Sequence, residues 1–340
     1  MNPIVVNIIL FVMVSAISFS YGQTLSKSGT TAAQFLKIGI GPRAIGMGSA
    51  FTASADDISS VYWNPAGLAN NQGMEAMFSR TEWIADVGVD FAAFSTNLSG
   101  LGTIGAYAIV MQSIDGMFVR TVENPEGTGE LFDAGSMAVG LSFSRFLTDN
   151  FSIGFSAKYI REYIWKESAA GFALDVGAMY KIDILNEFRL AASISNFGTK
   201  MQMDGRDILE IKQVGTQGTG NLINSKIELN DWELPLTFRV GVAADLISTG
   251  SARLTYAIDA VHPNDHTEYV NTGAEFAWNE IIFLRAGYKS LFELDTEEGL
   301  SLGLGLNYRV IDALKVSFDY AYQDFGRLEN VHYFSFGVNF

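Results

Sequence analysis

The chain has 340 residues with 34 Gly, 25 Phe and 13 Tyr but only 6 Pro, and charged residues make up 17% of it, below the roughly 25% of ordinary soluble proteins. This is too long for one small globular domain, yet no stretch reads as a linker between two, and the balance favours many strands over packed helices. A formal charge of −15 excludes nucleic acid as a partner, because binding phosphate needs a basic face, and zero Cys removes disulfides, thiol catalysis and lipid attachment at an N-terminal Cys.

Residues 4–19 form an apolar run followed by Ser20, Tyr21 and Gly22, whose small residues at alternate positions suit cleavage before Gln23. At about 16 residues the run is short of the ~20 a spanning helix needs, so it reads as an export signal over 1–22, although no Lys or Arg precedes it. From 23 to 73 no period of two is present. Gly39, Gly41, Gly46 and Gly48 stand around Pro42 and Arg43, followed by Asp56 and Asp57 and then by Asn64, Pro65 and Gly67. A compact, Gly-rich, partly helical segment lying before the first strand could plug a barrel from within.

The run from Ala32 to Ala69, AAQFLKIGIGPRAIGMGSAFTASADDISSVYWNPAGLA, resembles the N-terminal signature of the PorV/PorQ family, itself similar to FadL. The resemblance implies that 23–73 is a hatch, with Gly41, Pro42, Arg43, Gly46, Gly48, Asp56, Asp57, Asn64, Pro65 and Gly67 as its signature residues. It also implies that the hatch sits inside a barrel of fourteen strands.

Beyond 73 alternation returns and continues to the last residue. It predicts strands near 75–81, 86–98, 101–112, 135–147, 151–163, 170–182, 187–198, 233–247, 252–262, 267–277, 281–290, 299–309, 313–323 and 331–340. Apart from 75–81, which is shorter, these lengths match or slightly exceed the ~9–11 residues of a tilted membrane strand. Charge parity separates lipid from a soluble core. In 299–309, Leu300, Leu302, Leu304 and Leu306 share one face while Ser301, Asn307 and Arg309 take the other. An Arg or Lys at the lipid midplane costs ~2–4 kcal/mol, so its exclusion from one parity is what a bilayer enforces. The expected class is therefore all-β, a transmembrane antiparallel barrel of about 14 strands over 74–340.

Connections sort the same way. Every second turn is short, whereas the other set holds the two longest, 113–134 and 199–232, as expected of periplasmic turns and outer loops. Tyr180, Trp278 and Tyr308 fall at inner ends, and Tyr159, Tyr288, Tyr320 and Tyr322 at outer ends, where aromatic girdles belong. The closing strand carries Phe334, Phe336, Val338 and Phe340 on its lipid face, resembling the insertion signal read by barrel-assembly machinery.

Candidate chemistry is sparse. Gly299-Leu300-Ser301-Leu302-Gly303 matches G-x-S-x-G, but a nucleophile elbow needs a strand-to-helix turn and Ser301 lies inside an alternating strand. His262, His266 and His332 lack ligand spacing. Asp56 and Asp57 suit a polar turn capping a short helix, a contact with Arg43 that holds the plug, or a cation. The glycines at 39, 41, 46 and 48 are not a phosphate loop, since no Lys follows and no strand precedes. Lys158, Asp175, Arg239, Asp245, Arg253, Asp259, Glu275, Arg285, Arg309 and Asp319 are expected to pair across the bore. Neither an enzyme nor a cofactor is expected.

The resemblance implies a type IX secretion component of a Gram-negative outer membrane. Its partners would be lipid, cargo signal domains, and translocon or attachment proteins. The alternative is a FadL-like transporter of a hydrophobic small molecule of the long-chain fatty acid type.

Overall fold

The computed structural model describes residues 29–340 apart from 184–185, 215–220, 294–295, 312–313 and 329; the expected export signal over 1–22 lies outside the described residues. The wall begins with β1 (Met74–Glu82), β2 (Gly88–Leu98), β3 (Gly102–Phe118), β4 (Leu131–Thr148), β5 (Phe151–Ile164), β6 (Glu167–Ile182) and β7 (Phe188–Gly198). A long loop follows, carrying β8 (Asp204–Gly205), β9 (Leu209–Val214) and β10 (Asn221–Lys226). The wall resumes with β11 (Thr237–Ser248), β12 (Ala252–Pro263), β13 (Tyr269–Trp278), β14 (Ile282–Leu291), β15 (Leu300–Ile311), β16 (Leu314–Gln323) and β17 (Val331–Asn339).

Each wall strand pairs antiparallel with its neighbours, β7 pairs with β11 across the long loop, and β1 pairs with β17 to shut the ring. Among the described residues this makes a closed barrel of fourteen strands, so no edge is left unpaired in hydrocarbon. Each strand anticipated from alternation is present. β3 and β4 run further toward the outside than expected, at 17 and 18 residues.

Side-chain exposure follows the pleat. Leu302 and Leu304 are 46% and 55% exposed on the outside of β15, while Ser301 between β15's outward leucines is fully buried. Phe172, Leu174 and Val176 face out on β6 around the buried Asp175, and Phe334, Phe336 and Phe340 face out at the last strand. Tyr180, Trp278 and Tyr308 are exposed at one rim and Tyr159 and Tyr288 at the other. A continuous apolar belt of this kind on a closed ring needs acyl chains around it, so the barrel belongs in an outer membrane.

The interior is filled by the segment preceding β1. It is built from a 3-10 turn at Gln34–Lys37, short helices at Pro42–Gly46 and Ser60–Trp63, and a second 3-10 turn at Pro65–Asn70. Ala44, Phe51, Ile58, Val61, Ala66 and Leu68 are all fully buried. The hatch supplies the hydrophobic core that a barrel with a lipid-facing exterior otherwise lacks.

Candidate functional site

The hatch signature explains itself locally. Gly41 takes φ +83, a left-handed value that L side chains adopt only with strain, and it turns the chain into Pro42 at the first helical position, where a missing N–H costs nothing. Asn64 caps the following turn by accepting from the Ala66 N–H at 3.1 Å. Its amide donates at 2.9 Å to the Thr52 carbonyl within the hatch and at 3.3 Å to the Ala178 carbonyl of the wall. Pro65 opens that turn, and a Cβ on Gly67 would strike the Ala55 carbonyl.

Wall glycines complete the fit. A side chain at Gly154 would collide with Pro65, at Gly177 with Asn64, at Gly273 with Met47 and at Gly287 with Gly48. Gly46 meets Gly303 so closely that a Cβ on it would lie 2.9 Å from the Gly303 Cα. Hatch and wall therefore touch backbone to backbone on several strands. The small inward residues of the alternating pattern are seats for the plug.

Polar ties fix the hatch to the β11–β15 arc. The Phe51 and Thr52 N–H groups donate to Asp259 Oδ2 at 2.9 and 2.8 Å, and the Gly48 N–H donates to Ser301 Oγ at 3.0 Å. Arg43 donates from Nε to Glu275 at 3.1 Å and from Nη1 to Asp57 at 3.0 Å, and it also pairs with Asp56. Asp57 in turn accepts from the Ser59 N–H at 2.9 Å, ahead of the Ser60–Trp63 helix. The acidic pair thus serves both as a turn cap and as a clamp on the arginine that bridges plug and wall. Burial pushes the Asp56 carboxyl up, but Arg43 outweighs it and holds the group below the usual carboxylate range.

The anticipated pairing of bore charges holds for most of them. Lys158 meets Asp175 at 2.7 Å, Arg189 meets Asp245 at 2.8 Å, and Glu275 takes Arg285 at 2.7 Å and Arg253 at 3.2 Å as well as Arg43. Arg285 reaches Asp319 at 2.6 Å. Arg309 departs from the expectation, being exposed near the end of β15 opposite Lys315. Arg239 bonds Ser195 Oγ at 3.3 Å and lies 5.6 Å from the Trp63 ring centre.

The plug divides the bore into two chambers. The one at the mouth of the outer loops encloses about 1160 Å³ and is walled by Phe35, Ile38, Trp83, Met111, Tyr269 and Phe292, with Lys37, Arg239, Lys289 and several Glu among them. The one at the end of the short turns encloses about 620 Å³ and is polar, lined by Arg43, Asp56, Asp57, Glu75, Arg253, Arg285 and Asp319. Across the outer chamber's edge the start of the hatch is clasped to the β12–β13 loop. Asp265, its side chain fully buried, accepts from Thr31 at 2.8 Å, Gln34 at 3.0 Å and Lys37 at 3.1 Å. Burial raises the Asp265 carboxyl, but these three donors outweigh it and leave the group below its ordinary value.

Ser301 lies mid-strand with its hydroxyl on the Gly48 N–H, so no elbow forms there. His262 meets Glu268, His266 meets Glu293 and His332 meets the Tyr320 hydroxyl, each separately. Among the described residues no group of three His, Asp or Glu is placed to hold a metal ion.

A profile of the uncharacterised protein family UPF0164 matches residues 11–160. Among curated proteins no match is found. Solved structures are similar in shape at low identity. The CymD monoaromatic hydrocarbon channel aligns over 89% of this chain and 98% of its own at 12% identity, TM-score 0.58. The Pseudomonas putida toluene transporter TodX aligns over 88% and 97% at 13% identity, TM-score 0.56. The fold is that of FadL-like outer-membrane channels. It is a plugged barrel with chambers above and below the plug.

Proposed function

We propose that this barrel passes hydrophobic compounds across the outer membrane, receiving them in the chamber at its outer mouth. The observation that carries the reading is the 1160 Å³ outer chamber, whose aromatic and aliphatic walls at Phe35, Ile38, Trp83, Met111, Tyr269 and Phe292 suit a small apolar ligand, with charged groups around them. The shared fold with CymD and TodX, described respectively as a monoaromatic hydrocarbon channel and a toluene transporter, supports it. Nothing in the proposal calls for catalysis, and Ser301 is spent on seating the hatch.

The test is uptake of radiolabelled toluene and of radiolabelled oleate, measured separately, by a Gram-negative host stripped of its own channels of this type. Expression of the barrel should raise the entry of at least one of them. A Met111→Lys variant, which puts a charge into the outer chamber, should remove that gain while leaving the barrel heat-modifiable on gels. Unchanged uptake of both compounds on expression would sink the reading.

A second reading follows from the PorV/PorQ-like signature: a type IX secretion component that escorts cargo. The observation favouring it is the β9–β10 hairpin of the long outer loop, which stands apart from the barrel sheet and exposes Leu209, Ile211, Leu222 and Ile223. Not all of that loop's apolar residues are on offer, since Met201 is buried with the hatch core. Removing the hairpin should stop surface delivery of cargo bearing type IX signal domains if this reading is right, and leave hydrophobic uptake untouched.

A further inference from the structure

Two kinds of contact hold the hatch: on one side polar ties stand together with an apolar cluster that reaches Met179, Ala191, Ala243, Ala257 and Tyr333 of the wall, and on the other the contact is chiefly apolar. Toward β4–β7 and β11–β15 it is tied by hydrogen bonds and ion pairs: Ser193 Oγ donates to the Trp63 carbonyl at 3.1 Å, Ser144 and Ser152 donate to the Ala66 carbonyl at 3.1 Å each, and Asp259, Glu275 and Ser301 hold residues 43–52. Toward β2 and β3 the contact is apolar except at the foot of the hatch, where Asn71 donates to Ser95 Oγ at 2.6 Å and its carbonyl accepts from Thr103 at 3.1 Å. Elsewhere on this side Ile38, Ile40, Ile58, Val61 and Leu68 of the hatch share one buried cluster with Val89, Phe91, Tyr107 and Ile109 of the wall.

That cluster reaches both chambers. Trp83 and Met111 pack on its upper end and line the outer chamber, whereas Met77 packs on it and lines the lower one, beside Gly41 and Ser59. Separating apolar faces costs little when an apolar ligand replaces the lost contact, while parting Arg43 from Glu275 or Asp259 from its two N–H donors strips buried charges of their partners.

We propose that the ligand crosses the plug along this apolar seam between the hatch and β2–β3, with the hatch remaining attached through its polar side as the seam opens. The proposal rests on the transport reading given above. It makes Ile40, Ile58, Val89, Phe91 and Tyr107 the lining of the path, and Met77 the flexible side chain at its exit. A passage so lined selects compounds that carry no charge through it.

The chain has no Cys, so engineered disulfides can pin either side of the hatch. A Cβ on Gly105 would lie 3.5 Å from Val61 Cγ1, the place a sulfur on Val61→Cys would take, and one on Gly241 would lie 3.0 Å from the Thr52 Cβ, so that strand or hatch must ease apart and the Asp259 carboxylate give way to reach the ~3.8 Å between Cβ atoms in a disulfide. In the uptake assay above, Val61→Cys with Gly105→Cys should lose roughly tenfold or more of its transport when oxidised and regain it in reductant, as expected when a gating motion is blocked. Thr52→Cys with Gly241→Cys should transport alike in both states. Transport that survives the 61–105 bond overturns the seam, as does equal loss from the 52–241 bond. Failure of the transport reading is recognised separately, by a lack of uptake in the unsubstituted protein. The reduced form of each variant reports whether the substitutions themselves are tolerated.

Discussion

At the scale of single residues, the carboxylates decide how the plug is held. Asp265 gathers three donors from the first turn of the hatch, and its depressed pKa gives the sign of the pH effect. A carboxyl ionised more readily in the folded state stabilises that state above its unfolded pKa, near 3.9, and the contribution is lost as pH falls through the lower folded value. The clasp should therefore be intact at neutral pH and released in strong acid. Asp265→Asn should imitate acid at neutral pH, and hydrogen exchange read by mass spectrometry over residues 31–38 checks both, with faster exchange expected in each case. Arg43→Met leaves Glu275 with Arg253 and Arg285 but strips Asp56 and Asp57 of their partner. A cost of about 1 kcal/mol is expected in denaturant unfolding, because Asp56 and Asp57 are partly exposed and solvent screens them once Arg43 is gone. Ser301→Ala removes the acceptor of the Gly48 N–H and should cost about 1 kcal/mol, with uptake otherwise retained.

At the scale of the element, each strand has a side for lipid and a side for the plug, and the two tolerate opposite changes. Leu304→Arg on β15 should destabilise the barrel by ~2–4 kcal/mol in refolding from denaturant into lipid vesicles, since it drives a cation into hydrocarbon. Gly287→Val on β14 should leave the belt intact but unseat Gly48, so protease should cut the hatch in the variant and spare it in the parent. The same division explains what the sequence made legible. Leu300, Leu302, Leu304 and Leu306 can face only one way, so alternation located every wall strand without knowledge of its neighbours. The β9 strand alternates too, but its six residues fall short of the ~9–11 that cross a bilayer, and it reads as loop. Arg43 and Glu275 stand 232 positions apart, and their meeting depends on ring closure, which no local pattern encodes. The outer chamber escaped notice for the same reason, because Phe35, Trp83, Met111, Tyr269 and Phe292 come from five separate places in the chain. The Gly-rich signature serves close packing in the structure, where Gly46 stands against Gly303.

At the scale of the whole molecule, two chambers of unlike character face each other across a filled waist, the outer one partly greasy and the inner one ionic. The pairing of β1 with β17 joins the two extremities of the wall, so the cylinder is incomplete until its final residues are in register. The plug, by contrast, precedes the entire wall in the chain and sits against glycine backbones on β5, β6, β13, β14 and β15, with no clearance for a side chain. A bolt machined to that tolerance cannot be dropped through the mouth of a finished tube. During biogenesis the staves must be raised around it, and a cylinder made without its leading segment should refuse that segment when it is offered later as a separate peptide.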